Sequence, residues 1–274
     1  MSTPPTPAAS ATEPTLIVDD SHPGVRVLTM NRPERLNALH GPQIDLMIDA
    51  LKSASDPGRD IRVIVLKANG RAFSAGADLK WLSSGVLADD KAHLEFQDRL
   101  QALCETIESL PQPVIAAVHG FALAGGMELT LSCDIVVVAE NAELGDEHIR
   151  RNLLPGGGGS QRLPRKLGFA RGMYHLLTGK RTSGTQAVEY GLAALAVPAA
   201  ELAEAAVGMA RDMAKTDAHA LAMMKEMVRK GMEMPLKDGL WRERWMQHRY
   251  RAFSSAMDHG VANFAAQGKD AGRS

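Results

Sequence analysis

The feature that most restricts the fold is a series of short apolar runs, separated from one another by helical periodicity. The runs are "VRVLTM" (25–30), "IRVIVLKA" (61–68), "PVIAAVHGFAL" (113–123) and "DIVVVAE" (134–140). A strand with one face in water alternates apolar and polar residues, whereas three of these runs are nearly continuously apolar, as strands buried on both faces are. Between them, "PQIDLMIDALKSA" (42–54) places Ile44, Met47, Ile48 and Leu51 at i, i+3, i+4 and i+7. In the same way "HLEFQDRLQALCETIESL" (93–110) puts Phe96, Leu100, Leu103 and Ile107 on one helical stripe. Strands alternating with helices predict an α/β fold with buried parallel strands. At 274 residues, 45% of them hydrophobic, the chain is long enough to bury a sizeable core.

After about residue 168 the strand signal stops, and the segments 187–197, 201–215, 218–232 and 236–253 read as helices. The expected organisation is a core over 15–198, a helical region over 199–265, and tails at 1–14 and 266–274. The first tail is rich in Ser, Thr, Pro and Ala, without the basic and apolar blocks of a targeting segment, and reads as disordered. Nine of the fourteen methionines fall at or after Met209. They suit either flexible core packing or an apolar wall for an acyl chain or a neighbouring subunit. Basic and acidic residues balance, 31 against 32, so nothing favours nucleic acid or an anionic membrane surface as partner. No apolar run has the length of a membrane span. Cys104 and Cys133 lack metal-site spacing and fit a reducing compartment, so a cytoplasmic location is expected.

Three segments carry candidate chemistry. "PGGGGSQRL" (155–163) lacks the lysine of a phosphate-binding loop; with Ser160 as N-cap of a following helix it reads as a tight, ligand-facing turn. In "NGRAFSAGADLKWL" (69–82) the small residues Ala75, Gly76 and Ala77 let a ligand approach the backbone, and Asp78 can cap a helix, although an ordinary strand-to-helix turn fits equally. In "VHGFALAGGMELTLSCD" (118–134) a helix begins near Gly125. Its first N–H groups lack partners and carry the positive end of the helix dipole, favouring an oxygen that gains negative charge. Glu128 lies in the first turn of this apolar segment, as a catalytic or a structural carboxylate. No G-x-S-x-G nucleophile elbow and no HExxH pattern is present, His40, His119 and His175 fit structural roles, and no metal site is expected.

Together, "LTMNRPERLNAL" (28–39), "AFSAGADLKWL" (72–82), "PVIAAVHGFALAGGMELTLSCDIVVVAE" (113–140), "LLPGGGGSQRLPRKLG" (153–168) and "FSSAMDHGVANF" (253–264) resemble the enoyl-CoA hydratase/isomerase (crotonase) family. The resemblance covers roughly residues 14–265. It implies a core of repeated ββα turns with a helical C-terminal region, assembled as a homotrimer or homohexamer. It further implies a fatty-acyl or related CoA thioester as substrate, with coenzyme A part of that substrate and no separate cofactor. By motif, the backbone N–H groups of Ala75 and Gly125 would form the oxyanion hole, and Ala75, Gly76, Ala77, Asp78, Leu79, Gly125, Pro155 and Gly156 would line the substrate. Glu128 matches the first of two catalytic carboxylates. Where the second belongs, three residues after Gly145 and seven before Pro155, this chain has His148, preceded by Glu147. The resemblance therefore implies a hydratase using Glu128 with His148 or Glu147, with isomerisation, decarboxylation, thioester hydrolysis and a non-catalytic acyl-CoA-binding or RNA-binding homologue as the alternatives.

Overall fold

The computed structural model describes residues 13–271. Nine strands are present among them: β1 (Leu16–His22), β2 (Val25–Met30), β3 (Val63–Ala68), β4 (Val114–Val118), β5 (Phe121–Leu123), β6 (Ile135–Ala139), β7 (Glu143–Gly145), β8 (Thr182–Ser183) and β9 (Leu195–Val197). The α-helices are α1 (Gly41–Lys52), α2 (Leu79–Ser83), α3 (Asp90–Ser109), α4 (Gly125–Ser132), α5 (Gly159–Leu167), α6 (Phe169–Thr178), α7 (Gly184–Glu189), α8 (Leu202–Met213), α9 (Ala218–Gly231), α10 (Leu236–Phe253) and α11 (Ala256–Ala271). None is long and apolar enough, among the described residues, to cross a membrane.

A six-stranded sheet runs in the order β1-β2-β3-β4-β6-β9, parallel except for the β1–β2 pair. Every residue of β2 and β4 is buried, which is why these runs carry no polar alternation. Helix α8 covers β3, β4 and β6 with Leu202, Ala206, Val207 and Ala210. A second sheet, β5-β7-β8, stands beside the first. The two sheets are filled in step. The successive units β4–β5–α4 and β6–β7–α5 each give one strand to the large sheet and one to the small. Ser74 bridges Ala122 in the same register and extends the pattern to β3–Ser74–α2. The turns that enter α2, α4 and α5 therefore fall at equivalent points of neighbouring units, which brings residues 74–78, 123–128 and 155–159 together.

Several sequence expectations need correction. Strands do occur after residue 168. The stretch 187–197 is not one helix: α7 ends at Glu189, Gly191 follows at φ +75°, and Leu195–Val197 pairs in parallel with Val137–Ala139 as the edge strand β9. Ser160 is not the N-cap of α5. That place belongs to Gly158 at φ +100°, and Ser160 sits inside the first turn. Helix α11 continues past residue 265 to Ala271. Of the two expected tails, residues 1–12 and 272–274 lie outside the described residues.

Candidate active site

Residues 72–78 are stitched to β5 and its neighbours. Phe73 N–H donates to His119 O (3.0 Å), Ser74 N–H to Phe121 O (3.0 Å) and Leu123 N–H to Ser74 O (3.0 Å). Gly76, at φ +94°, follows; a Cβ there would lie 2.8 Å from Leu123 O, so only glycine fits. Leu39 N–H donates to Gly76 O (2.7 Å) and Asp78 N–H to Leu39 O (2.8 Å). In such a parallel bridge the intervening residue turns its own N–H away, so Ala77 N–H is directed away from Leu39. A Cβ built on Gly125 would sit 3.5 Å from Ala77 N.

The expected donor at Ala75 is corrected by this geometry. Ala75 N–H is spent on Leu36 O at 3.0 Å, and Gly76 N–H on Ser74 Oγ at 3.2 Å. Among the described residues, Ala77 N–H and Gly125 N–H have no protein acceptor. These two face one space at the N-terminus of α4, where the helix dipole adds to their pull on an anion. The Asp78 side chain is committed elsewhere: it caps α2 at Trp81 N–H (3.1 Å) and pairs with Arg32 Nη2 (2.9 Å). What Asp78 and the exposed Leu79 offer a ligand is position at the mouth of α2 rather than a free charge.

Glu128, one turn along α4, is fully buried. Its Oε1 accepts from Gly157 N–H (2.8 Å) and Gly159 N–H (2.9 Å), while Oε2 has no hydrogen-bond partner among the described residues. Burial raises its pKa, against the Gly159 and Gly157 N–H bonds and the His148 charge that favour the anion. The glycine run now has a physical reason. A Cβ on Gly157 would come within 3.0 Å of Glu128 Oε2, and one on Gly159 within 2.2 Å of Asp146 Oδ2. The run wraps two buried carboxylates and gives two N–H groups to one of them. Pro155 stands against Gly159, and Gly156 faces Gln97 on α3, so both border the same turn.

The segment after β7 brings His148 to Glu128: His148 Nε2 is 3.8 Å from Glu128 Oε2, and its Nδ1 is 2.8 Å from Asp146 Oδ1. Burial alone would lower the His148 pKa, but the Asp146 hydrogen bond and the charges of Asp146 and Glu128 outweigh it and raise the pKa. Glu147, the other candidate, is corrected. Its carboxylate turns the opposite way, accepting from Arg181 Nε (2.6 Å) and Arg150 Nη1 (3.1 Å), with Arg151 at 3.6 Å. Burial opposes ionisation there, but the Arg181 bond and the arginine charges hold the carboxyl below its usual range. Asp146 was not singled out from sequence. Its signal was "DEH" (146–148), in which the residue two before an imidazole can reach the ring's second nitrogen. Neither cysteine can serve as a nucleophile at neutral pH, because burial pushes both thiols up to about 12.

Comparison with known proteins places this geometry in context. The family model for enoyl-CoA hydratase/isomerase matches residues 20–271. A probable enoyl-CoA hydratase of Mycobacterium tuberculosis is 36% identical over 241 residues, 88% of this chain and 91% of that protein. The 2,3-dehydroadipyl-CoA hydratase of Escherichia coli is 36% identical over 220 residues, 80% of this chain and 84% of that protein. Among solved structures, an enoyl-CoA hydratase from Bacillus anthracis superposes with a TM-score of 0.88 at 32% identity, covering 93% of this chain and 97% of that one.

Proposed function

This chain belongs to the enoyl-CoA hydratase/isomerase family, and on that premise we propose that it adds water across the 2,3-double bond of an enoyl-CoA thioester. The observation that carries the reading is the facing pair of Glu128 Oε2 and His148 Nε2, 3.8 Å apart and one helical turn from the Gly125 N–H. The thioester oxygen lies between Ala77 N–H and Gly125 N–H. Both donors are fixed before the reaction and gain strength as enolate charge develops; losing one such donor typically costs roughly 10²–10³ in rate.

The water lies within reach of Glu128 Oε2 and His148 Nε2. Ionised Glu128 takes a proton from it as its oxygen bonds to C3, and the electron pair of the double bond passes to the thioester oxygen. The imidazolium of His148 then gives its Nε2 proton to C2. One proton leaves water and one reaches carbon, so Glu128 ends protonated and His148 neutral; transfer of the proton from Glu128 to His148 restores the starting state. The raised pKa of His148 keeps an acid available at neutral pH. The proton transfers run between Glu128, His148, the water and the substrate, while the Ala77 and Gly125 N–H groups hold the enolate oxygen.

The test is a panel of CoA thioesters (2-enoyl, 3-enoyl, malonyl-type and 3-hydroxyacyl) read by product mass. Gain of one water by the 2-enoyl compound, and its loss from the 3-hydroxyacyl compound, is the expected result. Conversion of the 3-enoyl compound without mass change, with the 2-enoyl compound left untouched, replaces hydration by isomerisation; loss of carbon dioxide from the malonyl-type compound or release of free CoA points to the decarboxylase or hydrolase alternatives.

A further inference from the structure

Asp146 is buried, with 1% of its surface exposed, and its side chain makes one hydrogen bond among the described residues, to His148 Nδ1 at 2.8 Å. Its other oxygen is unpartnered and is accommodated only because position 159 lacks a Cβ. A carboxylate held this way is costly unless its single bond is strong. An ionised carboxylate can only accept, so an ionised Asp146 requires the shared proton to sit on Nδ1 of the imidazole. The ring's other nitrogen then faces Glu128.

We propose that Asp146 is a positioning residue that fixes the protonation of His148, keeping a proton on Nδ1 at all times so that His148 exchanges protons with the reacting atoms through Nε2 alone. The proposal rests on the hydratase reading and gives its second acid–base group a defined tautomer. Without Asp146 the neutral ring is free to place its proton on Nε2, where it cannot accept the proton that Glu128 must return. The charged groups around His148 agree with this. Asp146 and Glu128 attract the imidazolium, and Arg151 on its own turn opposes it. Arg150 and Arg181 are engaged by Glu147, Arg162 of α5 by Glu108, and His175 of α6, which packs on the turn, by Lys180 O.

The experiment is a pH titration of the full chain labelled with ¹⁵N-histidine, with His148→Ala used to assign the His148 signals, beside pH–rate profiles of wild type and Asp146→Asn. The asparagine oxygen still accepts from Nδ1–H, but the negative charge is gone. In wild type the neutral His148 is expected as the Nδ1–H tautomer. In Asp146→Asn the His148 midpoint should fall by about one pH unit or more. Activity, lost as pH rises through the His148 midpoint, should be lost at correspondingly lower pH. At neutral pH kcat should fall on the order of 10- to 100-fold with KM within about threefold, less than the roughly 10²–10⁴-fold of losing the acid–base group itself. A wild-type Nε2–H tautomer, or a His148 midpoint unmoved in Asp146→Asn, overturns the proposal. Should that variant not fold, the wild-type tautomer decides by itself. The titration needs no substrate, so a chain that hydrates no enoyl-CoA yet shows the expected tautomer and shift refutes the hydratase reading while leaving the role of Asp146 standing.

Discussion

Glu128 and Glu147 are both almost wholly buried, yet their surroundings assign them opposite work. Glu128 has one oxygen held by two backbone N–H groups and one left over, beside an imidazole. Glu147 has its charge consumed by arginines. Glu128→Gln keeps the size and the acceptor for Gly157 and Gly159 but cannot take a proton; kcat should drop by at least about 10²-fold, with acyl-CoA affinity little changed in a binding assay. Turnover within about threefold of wild type makes Glu128 structural. Glu147→Gln should act the other way: kcat per folded molecule stays, while stability in a denaturant titration falls by about 1–3 kcal/mol, moderated because the arginines are partly exposed. The folded-state pKa of Glu147 is depressed, so its contribution is present above the unfolded pKa and disappears as pH falls through the folded one. The variant's deficit should therefore shrink in acid; a deficit unchanged by pH excludes the ion-pair account. At this scale the sequence was partly legible. The motif led to Glu128, Gly125 and His148, but the choice between Ala75 and Ala77 turns on which N–H the Leu36 carbonyl takes. A backbone donor's availability leaves no trace in residue type. Asp146 was hidden for a similar reason, since its burial depends on space left by a glycine thirteen residues away.

The turn at the start of α4 shows how an element makes a site and limits change there. Gly125 and Gly126 are adjacent but not equivalent. A Cβ on Gly125 meets Ala77 N and Gly76 Cα at 3.5 Å, an ordinary contact, whereas one on Gly126 would fall 2.3 Å from Ser74 O. Gly125→Ala should fold with near wild-type stability while its methyl group enters the space between the two donors, lowering kcat/KM by about 10²-fold, the scale of a lost oxyanion donor. Gly126→Ala should instead lose about 1–3 kcal/mol by thermal or chemical unfolding, because backbone must move to admit it. Equal stability losses in the two variants, or a normal kcat/KM in Gly125→Ala, contradict this division. The elements themselves were legible where they are long or buried on both faces. The runs at 25–30, 61–68 and 134–140 became β2, β3 and β6, and the helices at 201–215, 218–232 and 236–253 lie where periodicity put them. Strands β7, β8 and β9 were not legible, for two or three residues cannot display a period. Strand β1 was missed because it is a polar edge strand, "LIVDDSH", with only partial burial.

For the whole molecule, the C-terminal helices pose a problem that a single chain does not solve. Helix α10 has eighteen residues, of which Met246 alone is buried, and its main neighbour is α9. Leu236, Leu240, Trp241, Trp245 and Phe253 are exposed along it, and Met224, Val228 and Met232 are exposed on α9. Helical stability in water comes mainly from an apolar face covered by something else, and a patch of this extent on a soluble protein marks a contact surface. The charge balance of the chain gives no reason to look to nucleic acid or an anionic membrane for that cover. A second copy of the chain is the simplest occupant, since closed symmetric assemblies repeat one surface and leave none open. We therefore expect an oligomer by light scattering at micromolar concentration, and the family resemblance implies that it is a homotrimer or a homohexamer. Trp241 and Trp245 stand four residues apart, hence on one side of α10, and both are exposed, so charging them should strike the contact without disturbing the core. The double variant Trp241→Glu, Trp245→Glu is expected to yield smaller species, with a lower thermal midpoint that loses the dependence on protein concentration shown by the assembled wild type. A wild-type monomer, or a double variant whose mass and concentration dependence match wild type, would mean that these helices find their cover somewhere other than in a neighbouring subunit.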